Sequence, residues 1–156
     1  IFNKNILMKK VLMLCLGNIC RSPLAEGILQ SKVNPDNVFV DSAGTAAYHI
    51  GNLPDRRSIE VAAKYGLNIR NQRARKFSVS DFDEFDFIYA MDDSNYQNIL
   101  FLARNKEDEQ KVQMILNEVH FSKNLSVPDP YYGGDQGFEN VYKMLDEACN
   151  VIAKKL

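Results

Sequence analysis

The sequence predicts an α/β protein built on an open, mostly parallel sheet. Short apolar runs recur along the chain, as in strands buried on both faces. Segments with apolar residues at helical spacing alternate with those runs. No internal repeat or low-complexity tract breaks the alternation, which is the pattern of βαβ units with right-handed crossovers.

Val11 to Leu14 is the first strand. It runs into the loop Cys15, Leu16, Gly17, Asn18, Ile19, Cys20, Arg21, and then into Ser22 and Pro23. Those two read as an N-cap followed by a proline at the first helical position. Leu24, Ala25, Ile28 and Leu29 then share one helical face. Val38 to Val40 is a second strand. Asp55 to Tyr65 is a helix with Ile59, Ala62 and Ala63 turned inward and Gly66 as its stop. Phe87 to Met91 is a third strand, followed by a helix starting near Asp92. Val112 to Leu116 is expected to be the fourth strand, and Phe138, Val141, Leu145, Ala148 and Ile152 mark a closing amphipathic helix. In such sheets ligands bind beyond the carboxyl ends of the strands, where the strand order reverses. Cys15 stands at that end of the first strand.

At 156 residues the chain fits one domain. With 46% hydrophobic and 25% charged residues it falls in the globular range. Its net charge of −1 disfavours a nucleic-acid partner, which a broad basic surface would serve. Residues 56–76 do carry seven Lys/Arg against one Glu, and residues 81–93 six Asp/Glu and no base; both read first as solvated faces. Three cysteines make no disulfide framework and fit a reducing, cytoplasmic compartment. No run reaches the roughly 18 apolar residues of a membrane span. The stretch Ile1 to Leu14 is interrupted by Asn3, Lys4, Asn5, Lys9 and Lys10 and lacks a signal cleavage site. Met8 before Lys9 and Lys10 resembles a natural start, so residues 1–7 are expected to be a leader and residues 8–156 the domain. A monomer is expected.

The loop after the first strand carries chemistry. The thiolate is the reactive form of cysteine, and backbone N–H groups at a helix N-terminus favour it. The loop from Cys15 to Arg21 wraps onto such a terminus, and its N–H groups can form an anion-binding nest. Gly17 permits a tight curl, and Asn18 tolerates a left-handed conformation while offering an amide as a brace. Arg21 supplies a planar fork for two oxygens of a phosphate, and the Ser22 hydroxyl can donate to the Cys15 sulfur. If Cys15 merely ended a strand, Gly17, Asn18, Ser22 and Pro23 would be coincidences.

Phosphoryl transfer to a cysteine also needs an acid for the leaving oxygen. His49 and His120 have no neighbours at metal-ligand spacing and read as ordinary surface or half-buried side chains. Asp129 is the better candidate: Pro128 and Pro130 fix the backbone beside it, and Tyr131 and Tyr132 can wall a slot for an aromatic group. A proline-rich turn ahead of a helix is the plainer reading of that stretch.

CLGNICRSP at Cys15–Pro23, DSAGT at Asp41–Thr45, MDDSN at Met91–Asn95 and DPYYG at Asp129–Gly133 together resemble the low-molecular-weight protein tyrosine phosphatase family. The resemblance runs from about Met8 to the C-terminus. It implies a flavodoxin-like sheet of four parallel strands with helices on both faces. It implies that Cys15 is the nucleophile, Arg21 the phosphate clamp and Asp129 the general acid, with Leu16, Gly17, Asn18, Ile19, Cys20 and Ser22 completing the phosphate loop. Asn18, Ser22 and Ser42 would brace that loop, and Ile19, Tyr48, Tyr131 and Tyr132 would wall the substrate slot. No metal or other cofactor is implied; the partners are phosphotyrosine proteins or peptides, with inorganic phosphate as product. One position departs from the pattern: many members carry histidine shortly before the Ala-Arg pair, where this chain has Asn71, Gln72 and Arg73 before Ala74 and Arg75.

Two other activities of the same fold compete. Arsenate reduction resembles this loop plus two relaying cysteines, but only Cys149 remains beyond Cys15 and Cys20. Arginine phosphatases typically carry threonine before the second loop cysteine, where Ile19 stands. Cys20 reads either as a small packed residue or as a redox partner that captures an oxidised Cys15 as a disulfide; the resemblance supports the second.

Overall fold

The computed structural model describes residues 7–156, so the expected leader at residues 1–7 lies outside the described residues but for Leu7, which is exposed. Four parallel strands, β1 (Lys9–Cys15), β2 (Val38–Gly44), β3 (Phe87–Ala90) and β4 (Val112–Met114), form one sheet in the order β2-β1-β3-β4. The chain leaves β1 toward β2 and returns across it to β3. The order therefore reverses between β1 and β3, and the loops after those two strands diverge to open a crevice. Register puts the strand ends level, with Cys15 beside Gly44 and Leu14 beside Ala90.

Alternation along β1 sorts the core into two layers. Val11, Met13 and Cys15 face one layer, with α1 (Arg21–Lys32), α2 (Arg56–Lys64) and, from the far end of the chain, the long C-terminal helix Gly134–Lys155. Leu12 and Leu14 face the other, with Phe77, Phe82 and Ile99 from α3 (Asp81–Glu84), α4 (Asp93–Leu102) and the segment before them. A six-residue helix α5 (Lys106–Lys111) leads into β4, which makes the Gly134–Lys155 helix α6. Both faces of the sheet are covered, as the flavodoxin-like expectation required. Among the described residues, no helix is long and apolar enough to cross a membrane.

Several boundaries differ from the sequence reading. Strand β2 continues past Val40 to Gly44, because Asp41 and Ser42 break the apolar run without breaking the pairing to Leu12 and Met13. Strand β4 stops at Met114: its partner β3 ends at Ala90, and Ile115 and Leu116 are buried in a 3-10 turn instead. Ser22 is not an N-cap, since α1 already begins at Arg21, and its hydroxyl is used elsewhere. Asp55 does cap α2, its Oδ1 accepting from the Arg57 N–H at 2.8 Å, and Gly66 ends the following turn at φ 81°. Ala63 is exposed, and Val61 takes the inward place.

Candidate active site

Cys15 is the last residue of β1, and residues 16–20 curl back from it to the start of α1. The curl is closed by backbone bonds from Thr45 N to Cys15 O and from Ala46 N to Leu16 O, each 2.9 Å. Asn18 occupies the left-handed region at φ 57°, which asparagine tolerates.

Its side chain organises the loop. The Arg75 N–H donates to Asn18 Oδ1 at 3.0 Å, which fixes the orientation of the amide. Asn18 Nδ2 then donates to Ser22 Oγ at 2.8 Å and to Ser42 Oγ at 2.9 Å. Ser22 Oγ lies 3.0 Å from Cys15 Sγ, close enough for its hydroxyl to donate to a thiolate there. The Ser42 hydroxyl donates to Glu26 Oε1 at 2.7 Å. The network branches at Asn18, one arm reaching the Cys15 sulfur through Ser22 and the other reaching Glu26 through Ser42. Glu26 carries no signal in the sequence beyond being polar on a helix. Burial lifts its carboxyl to about 7, against the Ser42 hydrogen bond that holds it down.

Arg21 is buried at 3% exposure. Its Nη1 donates to Asp92 Oδ2 at 2.7 Å and to the Val127 carbonyl at 2.9 Å. With Nη1 committed, Nε and Nη2 remain as the parallel donors that match two oxygens of a tetrahedral anion. Asp92 is a residue the sequence reading passed over as a helix start. It is one, Oδ1 accepting from the Asn95 N–H at 2.8 Å, and it also anchors the arginine.

Asp129 reaches the same cleft from the other side of the chain. The cleft holds about 300 Å³ and is lined at its base by Cys15, Gly17 and Arg21. Its walls include Leu16, Ile19, Cys20, Tyr48, Tyr131 and Tyr132, so the structure brings all of these expected residues together. Asn18, Ser22 and Ser42 stand behind the loop, buried. His49, expected to be an ordinary side chain, also lines the cleft; a Cβ on Gly17 would lie 2.9 Å from its Cδ2, so glycine lets the ring pack on the loop. Among the described residues, no group of three His, Cys, Asp or Glu could hold a metal ion.

The profile of the family described as low molecular weight phosphotyrosine protein phosphatase matches residues 10–156. The chain belongs to that family. A low molecular weight phosphotyrosine protein phosphatase of Schizosaccharomyces pombe is 44% identical over 149 residues, 91% of each chain. A protein tyrosine phosphatase from Entamoeba histolytica, solved with Hepes in its active site, superposes with a TM-score of 0.87 at 37% identity, covering 94% of this chain and 96% of that one. Wzb of Vibrio vulnificus, solved in complex with benzylphosphonate, superposes with a TM-score of 0.85 at 31% identity over 96% and 99% of the two chains.

Of the two amides before Ala74 and Arg75, Gln72 is the one that reaches α1. Its Nε2 donates to the Pro23 carbonyl in the first turn of α1 at 3.0 Å, while its Oε1 is buried without a partner. Asn71 is exposed and joins no part of the site. The other two thiols sit in unlike surroundings from Cys15. Burial, with the charges of Asp55, Cys15 and Asp129, pushes Cys20 up to about 12. Burial alone does most of the same to Cys149, also near 12, whose Sγ packs on the Ala25 carbonyl between α6 and α1.

Proposed function

We propose that the chain hydrolyses phosphotyrosine in proteins and peptides by way of a cysteinyl-phosphate. The observation that carries this reading is the meeting, in one cleft, of Cys15 Sγ held 3.0 Å from Ser22 Oγ, the free edge of Arg21, and Asp129. Cys15 Sγ attacks phosphorus in line as the bond to the phenolic oxygen breaks, and Asp129 gives its proton to that oxygen. Asp129, now a carboxylate, takes a proton from the water that attacks the cysteinyl-phosphate; phosphate leaves and the thiolate returns. The loop N–H groups and the Nε and Nη2 donors of Arg21 meet the charge on the equatorial oxygens.

The cleft supports an aryl ester over its rivals. Ile19 and the tyrosine rings offer flat apolar walls to a phenyl ring, and Ile19 stands where arginine phosphatases typically place threonine. Cys149 is fully buried between α1 and α6, a poor relay for arsenate reduction. The test is kcat/KM on matched phosphotyrosine, phosphoserine and phosphoarginine peptides. Phosphotyrosine should lead by on the order of 100-fold; equal or better turnover of either rival would refute the assignment.

The same reading gives Cys20 a protective part. Peroxide converts the Cys15 thiolate to a sulfenic acid, which condenses with the Cys20 thiol to a disulfide and water. Burial pushes Cys20 up to about 12, so it stays a thiol at neutral pH and reacts slowly with peroxide itself. Thiol treatment after peroxide should restore wild type and fail to restore Cys20→Ser; equal recovery sinks the role.

A further inference from the structure

The N-terminus of α2 is bolted to the Cys15 loop. The Asp55 N–H donates to the Ile19 carbonyl at 2.7 Å, and Ser58 Oγ to the Cys20 carbonyl at 3.2 Å. From that anchored turn the Arg57 side chain reaches across to the segment that carries Asp129. Its Nε and Nη2 pair with the two Asp55 oxygens at 3.2 and 3.3 Å, and its Nη1 donates to the Tyr131 carbonyl at 3.1 Å. The guanidinium lies 5.2 Å from the centroid of the Tyr131 ring and 4.5 Å from that of Phe138, within cation–π range of both.

Among the described residues, this is the only hydrogen bond from residues 128–132 to another strand or α-helix. Tyr131 in turn donates its N–H to Asp129 Oδ1 at 3.0 Å. Tyr131 is therefore gripped by Arg57 on its carbonyl and grips the carboxyl with its N–H. That bond occupies Oδ1 as an acceptor and leaves Oδ2 to carry the proton.

We propose that Arg57 is a positioning residue for proton transfer, holding the Asp129 carboxyl in register with the Cys15 loop; this rests on the reading of Asp129 as the acid. A group that acts through Asp129 matters only where the leaving oxygen needs a proton. Phenyl phosphate needs one, and p-nitrophenyl phosphate, with its stabilised phenolate, needs it far less.

The experiment measures kcat/KM for both esters, with inhibition by inorganic phosphate as a check on the loop. Arg57→Ala should lower kcat/KM for phenyl phosphate about 10-fold, the scale of one lost charge-assisted hydrogen bond. It should move kcat/KM for p-nitrophenyl phosphate and inhibition by phosphate by less than about twofold, since the first leans on the acid far less and the second involves no leaving oxygen. Arg57→Met, which keeps an apolar stem on the rings, should show the same selective loss even if Arg57→Ala folds poorly, and Arg57→Lys should lie between. In an Asp129→Ala background the Arg57→Met effect should vanish. Equal losses on both esters, weakened phosphate inhibition, or an undiminished effect in the Asp129→Ala background would each overturn the proposal. If Asp129→Ala itself spared phenyl phosphate, the acid assignment would fall and this inference with it; if Asp129→Ala behaves as an acid should and Arg57→Met acts independently of it, this inference falls alone.

Discussion

Arg21 Nη1 lies 2.7 Å from Asp92 Oδ2, so the arginine that opens α1 is anchored by the helix-capping residue after β3. That contact spans the point where the strand order reverses, and it joins the two loops that open there. Asp92→Asn keeps an acceptor for the Asn95 N–H but turns an amide donor toward Arg21. Stability in urea should fall by about 2 to 3 kcal/mol, because a buried guanidinium loses its countercharge. Inhibition by phosphate should weaken about 10-fold or more as the fork loses its anchor. Asp92→Ala should cost about 1 kcal/mol further by removing the cap. Unchanged phosphate inhibition in Asp92→Asn would show that the anchor is not needed.

Gly44 ends β2 against the backbone of the Cys15 loop. A Cβ there would lie 2.7 Å from Leu16 O and 3.1 Å from Gly17 C, atoms that move only if the loop moves. Gly44→Ala should destabilise by about 1 to 3 kcal/mol and reduce turnover with it. At Gly133 the nearest atom to such a Cβ is 3.5 Å away, so Gly133→Ala should stay within about 0.5 kcal/mol of wild type. Thermal melts and aryl-phosphate turnover of Gly44→Ala check the first expectation, and a melt of Gly133→Ala the second.

Glu26 makes stability depend on pH in an unusual direction for a carboxylate. Burial raises its folded pKa to about 7 from 4.5, so the folded state binds its proton more tightly than the unfolded chain. The associated stability is complete below 4.5 and is lost as pH rises through about 7. At about 1.4 kcal/mol per pH unit across that window, the loss approaches roughly 3 kcal/mol. Glu26→Gln still accepts from Ser42 and has nothing to titrate. Relative to wild type it should gain stability between pH 5 and pH 8 in urea unfolding; parallel changes in the two proteins would contradict the assignment.

The parts of the site that lie within one stretch of chain were legible before the structure. Cys15 to Ser22 could be read as an anion cradle because Gly17, Asn18 and the following helix start each have a local conformational reason. Strands β1 and β3 were legible for a similar reason: burial on both faces leaves an unbroken apolar run, as in Val11 to Leu14, whereas β2, at the sheet edge with Phe39 exposed, was legible only from Val38 to Val40. Residues whose roles arise from folding were not. Asp92 reads as a helix cap, and its second partner, Arg21, is 71 positions away. Glu26 reads as a polar helix residue, and only the approach of β2 brings Ser42 to it. Ser42 itself entered by resemblance, because Asp41 and Ser42 hide the continuation of β2. Arg57 looked like one of several solvated basic residues until Tyr131 came to lie against it.

The most direct test of the central claim is acid quenching during steady turnover of a phosphotyrosine peptide, followed by mass spectrometry of the protein's own peptides. One phosphoryl group should appear on the peptide containing Cys15 and be absent in Cys15→Ser, which should also lose turnover. Phosphate on any other residue, or turnover surviving in Cys15→Ser, would contradict the account.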